Sequence, residues 1–187
     1  ALSADTLGSG SVAIGKDALL YNTTGTNNVG IGSASLDANT TGDNNTGLGT
    51  NALGANTTAE ANTAVGVNAL LVNTTGAYNT AVGMSSLDAN TTGTRNDALG
   101  YQAGTALTTG SYNTFIGERA GSSTTTASEN VAVGSASFSA NTTGTACVAI
   151  GKNALAANTT AANNTAVGKD AMVANTTGHS GVAIGKD

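Results

Sequence analysis

Proline and tryptophan are absent from this chain, and other residues that carry chemistry are scarce: 187 residues include one Cys, one His and two Phe. Each shortage excludes something. A lone Cys147 cannot close an internal disulfide. A lone His179 leaves no His-based catalytic triad or metal-binding pair, and it occupies a variable turn position. Without proline, and without glycine at every third residue, a collagen triple helix is excluded. Charge is scarce as well. Six Lys and Arg against eleven Asp and Glu give a formal net charge of −5, with no basic patch to neutralise phosphates, so nucleic acid is not an expected partner. No apolar run approaches the length of a membrane-spanning helix, and membrane insertion is not expected. Ala1-Leu2-Ser3-Ala4-Asp5 lacks the basic and apolar regions of a secretory signal. Leu, Ile, Val and Phe make up about one residue in six, below the roughly 20% level at which disorder threatens, although disorder usually also needs high net charge. An enzyme with an ordinary mixed core is not expected.

What is present is repetition. Ala, Thr, Gly and Asn supply about three fifths of the chain, and its 187 residues divide into eleven units of 17. Glycine recurs at every seventeenth residue: Gly15, Gly32, Gly49, Gly66, Gly83, Gly100, Gly117, Gly134, Gly151, Gly168 and Gly185. An aliphatic residue precedes each, from Ile14 to Ile184. Threonine keeps the same interval: Thr6, Thr23, Thr40, Thr57, Thr74, Thr91, Thr108, Thr125, Thr142, Thr159 and Thr176. The unit averages to A-L-x-A-N-T-T-G-x-x-N-T-A-V-G-x-x, counted from Ala1. Leu dominates position two, Asn positions five and eleven, Gly or Ala position eight, and Ala or Gly position thirteen, where Phe115 is the exception.

A 17-residue unit is too short for the known helical repeats, which need roughly 33 residues or more, and its Asn, Gly and Thr oppose helix. Two extended segments joined by turns are expected, at positions eleven to fourteen (Asn62-Thr63-Ala64-Val65) and four to seven (Ala38-Asn39-Thr40-Thr41). Glycines at eight and fifteen supply turn conformations. A single unit cannot bury its own apolar face, so the expected fold is an all-β parallel solenoid, or β-roll, of eleven 17-residue coils forming one array over residues 1–187. Stacked about 4.8 Å apart, the coils span about 50 Å. The lack of proline suits coils that each donate ladder hydrogen bonds. Asn columns at five and eleven are expected to bond along the rod. The core is expected from positions two and fourteen, helped by twelve. The Ala/Gly column at thirteen would then be a smooth outer face that invites another chain.

No unit has the polar character of a cap. Joining Asp187 to Ala1 simply continues the pattern, so the array is expected either to extend further or to meet the next copy head to tail as a polymer. Units seven and eight depart together: Gly104 and Gly121 replace Leu, Leu107 replaces Asn, and Phe115 enters the Ala column. Compensated repacking is the favoured reading of this patch, with Leu107 and Phe115 filling the space left at Gly104. No Ca²⁺ loop motif is present and the acids are scattered, so no cofactor, metal or catalytic residue is expected. Lys16-Asp17, Lys169-Asp170 and Lys186-Asp187 read as solvated turn pairs. Cys147, in the position-eleven Asn column, reads as an inert buried thiol, although three thiols would meet if that column faced a threefold axis. The N-T-T triplets match the N-glycosylation sequon, as do Asn44-Asn45-Thr46 and Asn163-Asn164-Thr165, but the repeat accounts for them without sugar.

The motifs N-T-A-V-G-x-x-A-L, N-T-T-G, V-A-I-G (Val12 to Gly15, Val148 to Gly151, Val182 to Gly185) and Y-N-T-F-I-G-E-R-A-G resemble head repeats of trimeric autotransporter adhesins. They also resemble related repeats of phage tail fibres and bacterial surface fibres. The resemblance covers all eleven units, although the unit here has an apparently lengthened N-T-T turn. It implies a homotrimer of parallel β-rolls at a cell surface or on a virion, with rod-like display of surfaces that meet a host surface or carbohydrate ligand. The expected function is therefore a non-catalytic extracellular fibre with adhesin-like display. The alternative is an ice-binding solenoid using the Thr columns at six and seven. Adjacent residues of an extended segment point to opposite faces, which counts against a flat two-column Thr array.

Overall fold

A computed structural model describes residues 8–186; Thr6 of the threonine column lies outside them, as does Asp187 of the last Lys-Asp pair. Eleven three-residue strands follow in order: β1 Val12–Ile14, β2 Val29–Ile31, β3 Thr46–Leu48, β4 Thr63–Val65, β5 Thr80–Val82, β6 Asp97–Leu99, β7 Thr114–Ile116, β8 Val131–Val133, β9 Val148–Ile150, β10 Thr165–Val167 and β11 Val182–Ile184. They form one parallel sheet in sequence order. Val12 pairs with Val29 and Thr165 with Val182, so each strand meets the residue 17 further on. The expected β-solenoid is the fold observed.

The rest of each coil is turns and bends, and the second extended segment expected at positions four to seven does not form a strand. Burial there follows a step of three. In the second coil Leu19, Asn22, Gly25 and Asn28 face inward while Tyr21, Thr24 and Asn27 face water. The step shortens to two only at the strand, where Gly30 is buried. Corners come from left-handed backbone. Positions two, ten and seventeen have φ near +55° in every described coil, as at Leu36 (53°), Asn44 (59°) and Asn51 (57°). Asn and Asp, which tolerate this region, recur at ten and seventeen. Position two keeps Leu because burying that side chain stabilises by about 1.5–3 kcal/mol, which offsets a left-handed cost of roughly 1–2 kcal/mol. Position fifteen is stricter. Its φ runs from 127° to 140°, and a Cβ on Gly32 would stand 2.5 Å from the Gly49 carbonyl oxygen, so only glycine fits. Position eight differs: its glycines have no positive φ, and Ala59, Ala127 and Ala161 stand there in three coils.

The strand faces are the reverse of those expected. Ala64, Ala81, Ala132 and Ala149 at position thirteen are fully buried, while Leu99 and Ile116 at position fourteen are 50% and 38% exposed. The reason is width. The coil holds one large apolar column, the Leu of position two, and only a methyl group fits opposite it.

The remaining interior is amide. Asn39 Nδ2 donates to Asn22 Oδ1 (2.8 Å) and to the Gly42 carbonyl (3.0 Å), and Asn56 and Asn73 repeat the pattern. In the position-eleven column, the Asn62 backbone N–H donates to Asn45 Oδ1 (3.0 Å) while Asn62 Nδ2 reaches the Gly76 carbonyl (2.9 Å). Both expected Asn ladders are present. The first breaks at Leu107 and Thr124, which sit in its column fully buried. The cost is visible: Asn90 Oδ1 and Thr124 Oγ1 are buried without a partner. Phe115 is fully buried and fills the space of two missing leucines, since a Cβ on Gly104 would stand 2.6 Å, and one on Gly121 2.5 Å, from its ring carbons. The refilling expected of Leu107 is done by Phe115, and Leu107 packs beside Gly110 instead.

Two stability outcomes follow. Asn56→Ala strips partners from Asn39, Ala59 and Asn73 and should cost about 1–3 kcal/mol in denaturant unfolding; an unchanged midpoint would mean the amide columns are dispensable. Phe115→Ala alone should cost about 3–5 kcal/mol. Adding Gly104→Leu and Gly121→Leu should recover most of that loss, and no recovery would show that the ring does not stand in for the leucines.

Candidate interaction surfaces

Positions twelve and fourteen alternate with the buried position thirteen, so both side chains point out of the coil. Position fourteen makes an aliphatic stripe along the sheet, joined at position twelve by Val in five coils and Thr in five; Val12, Ile14, Leu48, Leu99, Ile116 and Ile150 are all more than a third exposed. Val67 and Met84, at position sixteen, add exposed apolar surface in the fourth and fifth coils. Asp97 interrupts the stripe on β6. Position fourteen alone is aliphatic in every coil, so partly exposed apolar side chains recur at each step along the sheet.

The position-ten column forms a second surface. Tyr78, Arg95 and Tyr112 stand in successive coils, and the Arg95 guanidinium carbon lies 5.1 Å from the Tyr78 ring centroid and 5.5 Å from that of Tyr112. Arg95 Nη1 donates to the Tyr112 hydroxyl at 3.3 Å, and the Tyr78 hydroxyl donates to Glu60 Oε1 at 2.8 Å. That hydrogen bond to the carboxylate, with its charge, raises the Tyr78 pKa. The two rings are 48% and 56% exposed. All three residues hold left-handed backbone, with φ of 61°, 55° and 61°, at roughly 1–2 kcal/mol each. Exposed cation–π contacts return about 0.5–1 kcal/mol apiece, so the stack does not repay its own strain. No motif marks this column in the sequence; its signal is that Tyr78, Arg95 and Tyr112 lie 17 residues apart.

The two threonine columns separate. Position-six hydroxyls turn toward the next coil: Thr40 Oγ1 donates to the Thr57 carbonyl at 3.1 Å, and Thr91 Oγ1 to that of Thr108 at 3.1 Å. Position seven is exposed from Thr24 to Thr177. The N-T-T asparagines Asn22, Asn39, Asn56, Asn73, Asn90, Asn141 and Asn158 are fully buried, which keeps those sequons from any modifying enzyme in the folded chain. Asn44 and Asn163 are exposed.

Cys147 is fully buried and its column faces the coil interior, so its thiols cannot meet on an axis outside the coil. Its Sγ donates to the Ala161 carbonyl at 3.4 Å, in place of the usual Asn amide, and burial raises its pKa. His179 is exposed, and its Nδ1 accepts the Ala162 N–H at 3.0 Å. Asp43 Oδ1 does the same for Thr26 (2.7 Å). Lys16–Asp17 and Lys169–Asp170 form ion pairs at 3.9 and 2.8 Å, with Asp170 partly buried. Among the described residues no group of three His, Cys, Asp or Glu could hold a metal ion, and no helix is long and apolar enough to cross a membrane. An open groove of about 490 Å³ lies beside Leu71 and Val72 above Ala89 and Ala106. Its carboxylate, Asp88, already accepts the Thr105 hydroxyl at 2.7 Å.

Searches of protein-family models, curated proteins and solved structures find no match to this chain.

The Cys147 thiol gives a test of the interior assignment. At pH 8 its alkylation should run at least roughly tenfold slower than that of an exposed cysteine and recover in denaturant. The folded chain holds the thiol proton more tightly than the unfolded one. Its contribution to stability is therefore complete below the ordinary thiol pKa and is lost as pH rises through the raised one. Rapid labelling of the native rod would place the thiol outside the core.

Proposed function

We propose that the chain is a non-catalytic structural rod of an extracellular fibre, on a cell surface or virion, in which copies of the chain pack side by side along the aliphatic stripe. The exposed strip of positions twelve and fourteen carries this reading. Each chain has the same strip at the same spacing along the coils, so a neighbouring copy can cover it over its whole length without any fold change. A homotrimer is the stoichiometry that the resemblance to trimeric adhesin heads implies, and the geometry of one chain is compatible with it. Contacts with a host surface would then fall to the outward columns, such as nine and ten.

The ice-binding alternative draws on the exposed position-seven threonines. It is the weaker reading because the position-six hydroxyls are spent on carbonyls, which leaves a single file where two columns are wanted.

Sedimentation or mass-per-length microscopy of the unheated protein should give three chains per about 50 Å of rod. Leu99→Asp with Ile150→Asp should release single chains that keep the β circular dichroism signal, because both side chains face out of the coil. A wild-type protein that is a single chain at micromolar concentration overturns the proposal.

A further inference from the structure

We infer that the Tyr78–Arg95–Tyr112 stack is a binding site for an uncharged saccharide. The inference gives a ligand class to the display surface of the proposed rod, and rests on that reading only for its purpose. Three observations lead to it. The column's left-handed backbone suits Asn or Gly, which hold it at Gly10, Asn27, Asn44 and Asn163, and small Ala61, Ala146 and Ser180 hold it in three other coils. Tyr78, Arg95 and Tyr112 thus place three large side chains in consecutive coils at a position where the fold itself asks for nothing large. None of the three packs into the core: both rings are about half exposed, and Arg95 is exposed. The guanidinium is already held between two rings, so little ordering remains to be lost when a ligand arrives.

The chemistry selects the ligand. Exposed Tyr offers an apolar ring and a hydroxyl. Arg95 offers a planar fork of donors, and Glu60 and Glu129 offer acceptors on either side of the stack. The coil before Tyr78 carries only Ala61 in this column, and Tyr78 is 48% exposed. A pyranose matches this set, with a C–H face for the ring and hydroxyls for the fork and the carboxylates. Charge argues against an acidic glycan. Glu60 stands in the coil before the stack and Glu129 in the coil after it, and the chain as a whole carries −5, so a sialylated or sulfated sugar would approach like charge.

The test is binding of this 187-residue chain to a microarray of neutral, sialylated and sulfated oligosaccharides, compared with Arg95→Asn and with Tyr78→Asn/Tyr112→Asn. Asn suits this column, so these variants keep the coil, which an unchanged thermal melt and unchanged assembly mass would verify. The expected result is binding to at least one neutral glycan, lowered about tenfold or more in each variant, and persisting in about 1 M salt, where charge attraction is screened within about 3 Å. Binding confined to charged glycans, equal binding by the variants, or no glycan bound above the level of the variants would each overturn the inference. Because assembly mass is read separately, loss of sugar binding and failure of the rod to assemble are distinguishable.

Discussion

Two columns of buried asparagine fix the geometry of this molecule. A coil made mostly of turns leaves carbonyls pointing inward, and buried backbone groups need partners. The Asn39 amide meets this need within its coil by donating to Gly42, and between coils by donating to Asn22. The Asn62 amide does so one column over, through Gly76 and Asn45. Such an arrangement demands that each asparagine return at the same height and azimuth. One inserted residue would move every later amide off its acceptor, and each orphaned group would cost about 1–3 kcal/mol. That penalty explains a 17-residue register without insertion over eleven units. It also explains why the break at Leu107 leaves Asn90 Oδ1 unpaired.

Amide columns take up room, and the consequences run outward. With two of the interior corners occupied by asparagine, a single large apolar column remains, at position two. The strand can then present only Ala or Gly inward, and the aliphatic residues at twelve and fourteen are turned to the surface. Phe115 shows the same volume limit from the other side. A large residue enters position thirteen only where Gly104 and Gly121 have emptied position two in two neighbouring coils. The corners that close so narrow a coil need left-handed backbone at three places per turn. The Leu of position two repays that cost by burial, whereas Tyr78, Arg95 and Tyr112 do not.

The sequence disclosed the period, the parallel register and the two asparagine ladders, because stacking turns identity along the chain into columns in space. The inside and outside of the strand were not legible. Alternation at Thr63-Ala64-Val65 says that two faces exist, and larger aliphatics are ordinarily the buried ones; only the coil's width, which depends on the asparagines, reverses the choice. The three-residue step of burial through Leu19, Asn22, Gly25 and Asn28 was equally hidden, since it follows neither strand nor helix period. The position-ten stack was legible in principle. It rests on the contrast of Tyr78, Arg95 and Tyr112 with the mostly smaller residues that hold the same place in other coils.

These constraints divide the surface into two kinds. Position fourteen is aliphatic in every coil, position twelve is mostly Val or Thr, and both follow the register of the core, so the face they make repeats in every copy of the chain and suits contact between identical rods. Positions nine, ten and sixteen bear little of the fold, since Gly, Asn, Ala, Tyr, Arg and Glu all stand at position ten on the same backbone. Recognition can therefore be placed in such a column without disturbing the interior, at the cost of the left-handed strain of each bulky residue. On the reading proposed here, assembly and recognition occupy different columns, so a change in one can leave the other intact.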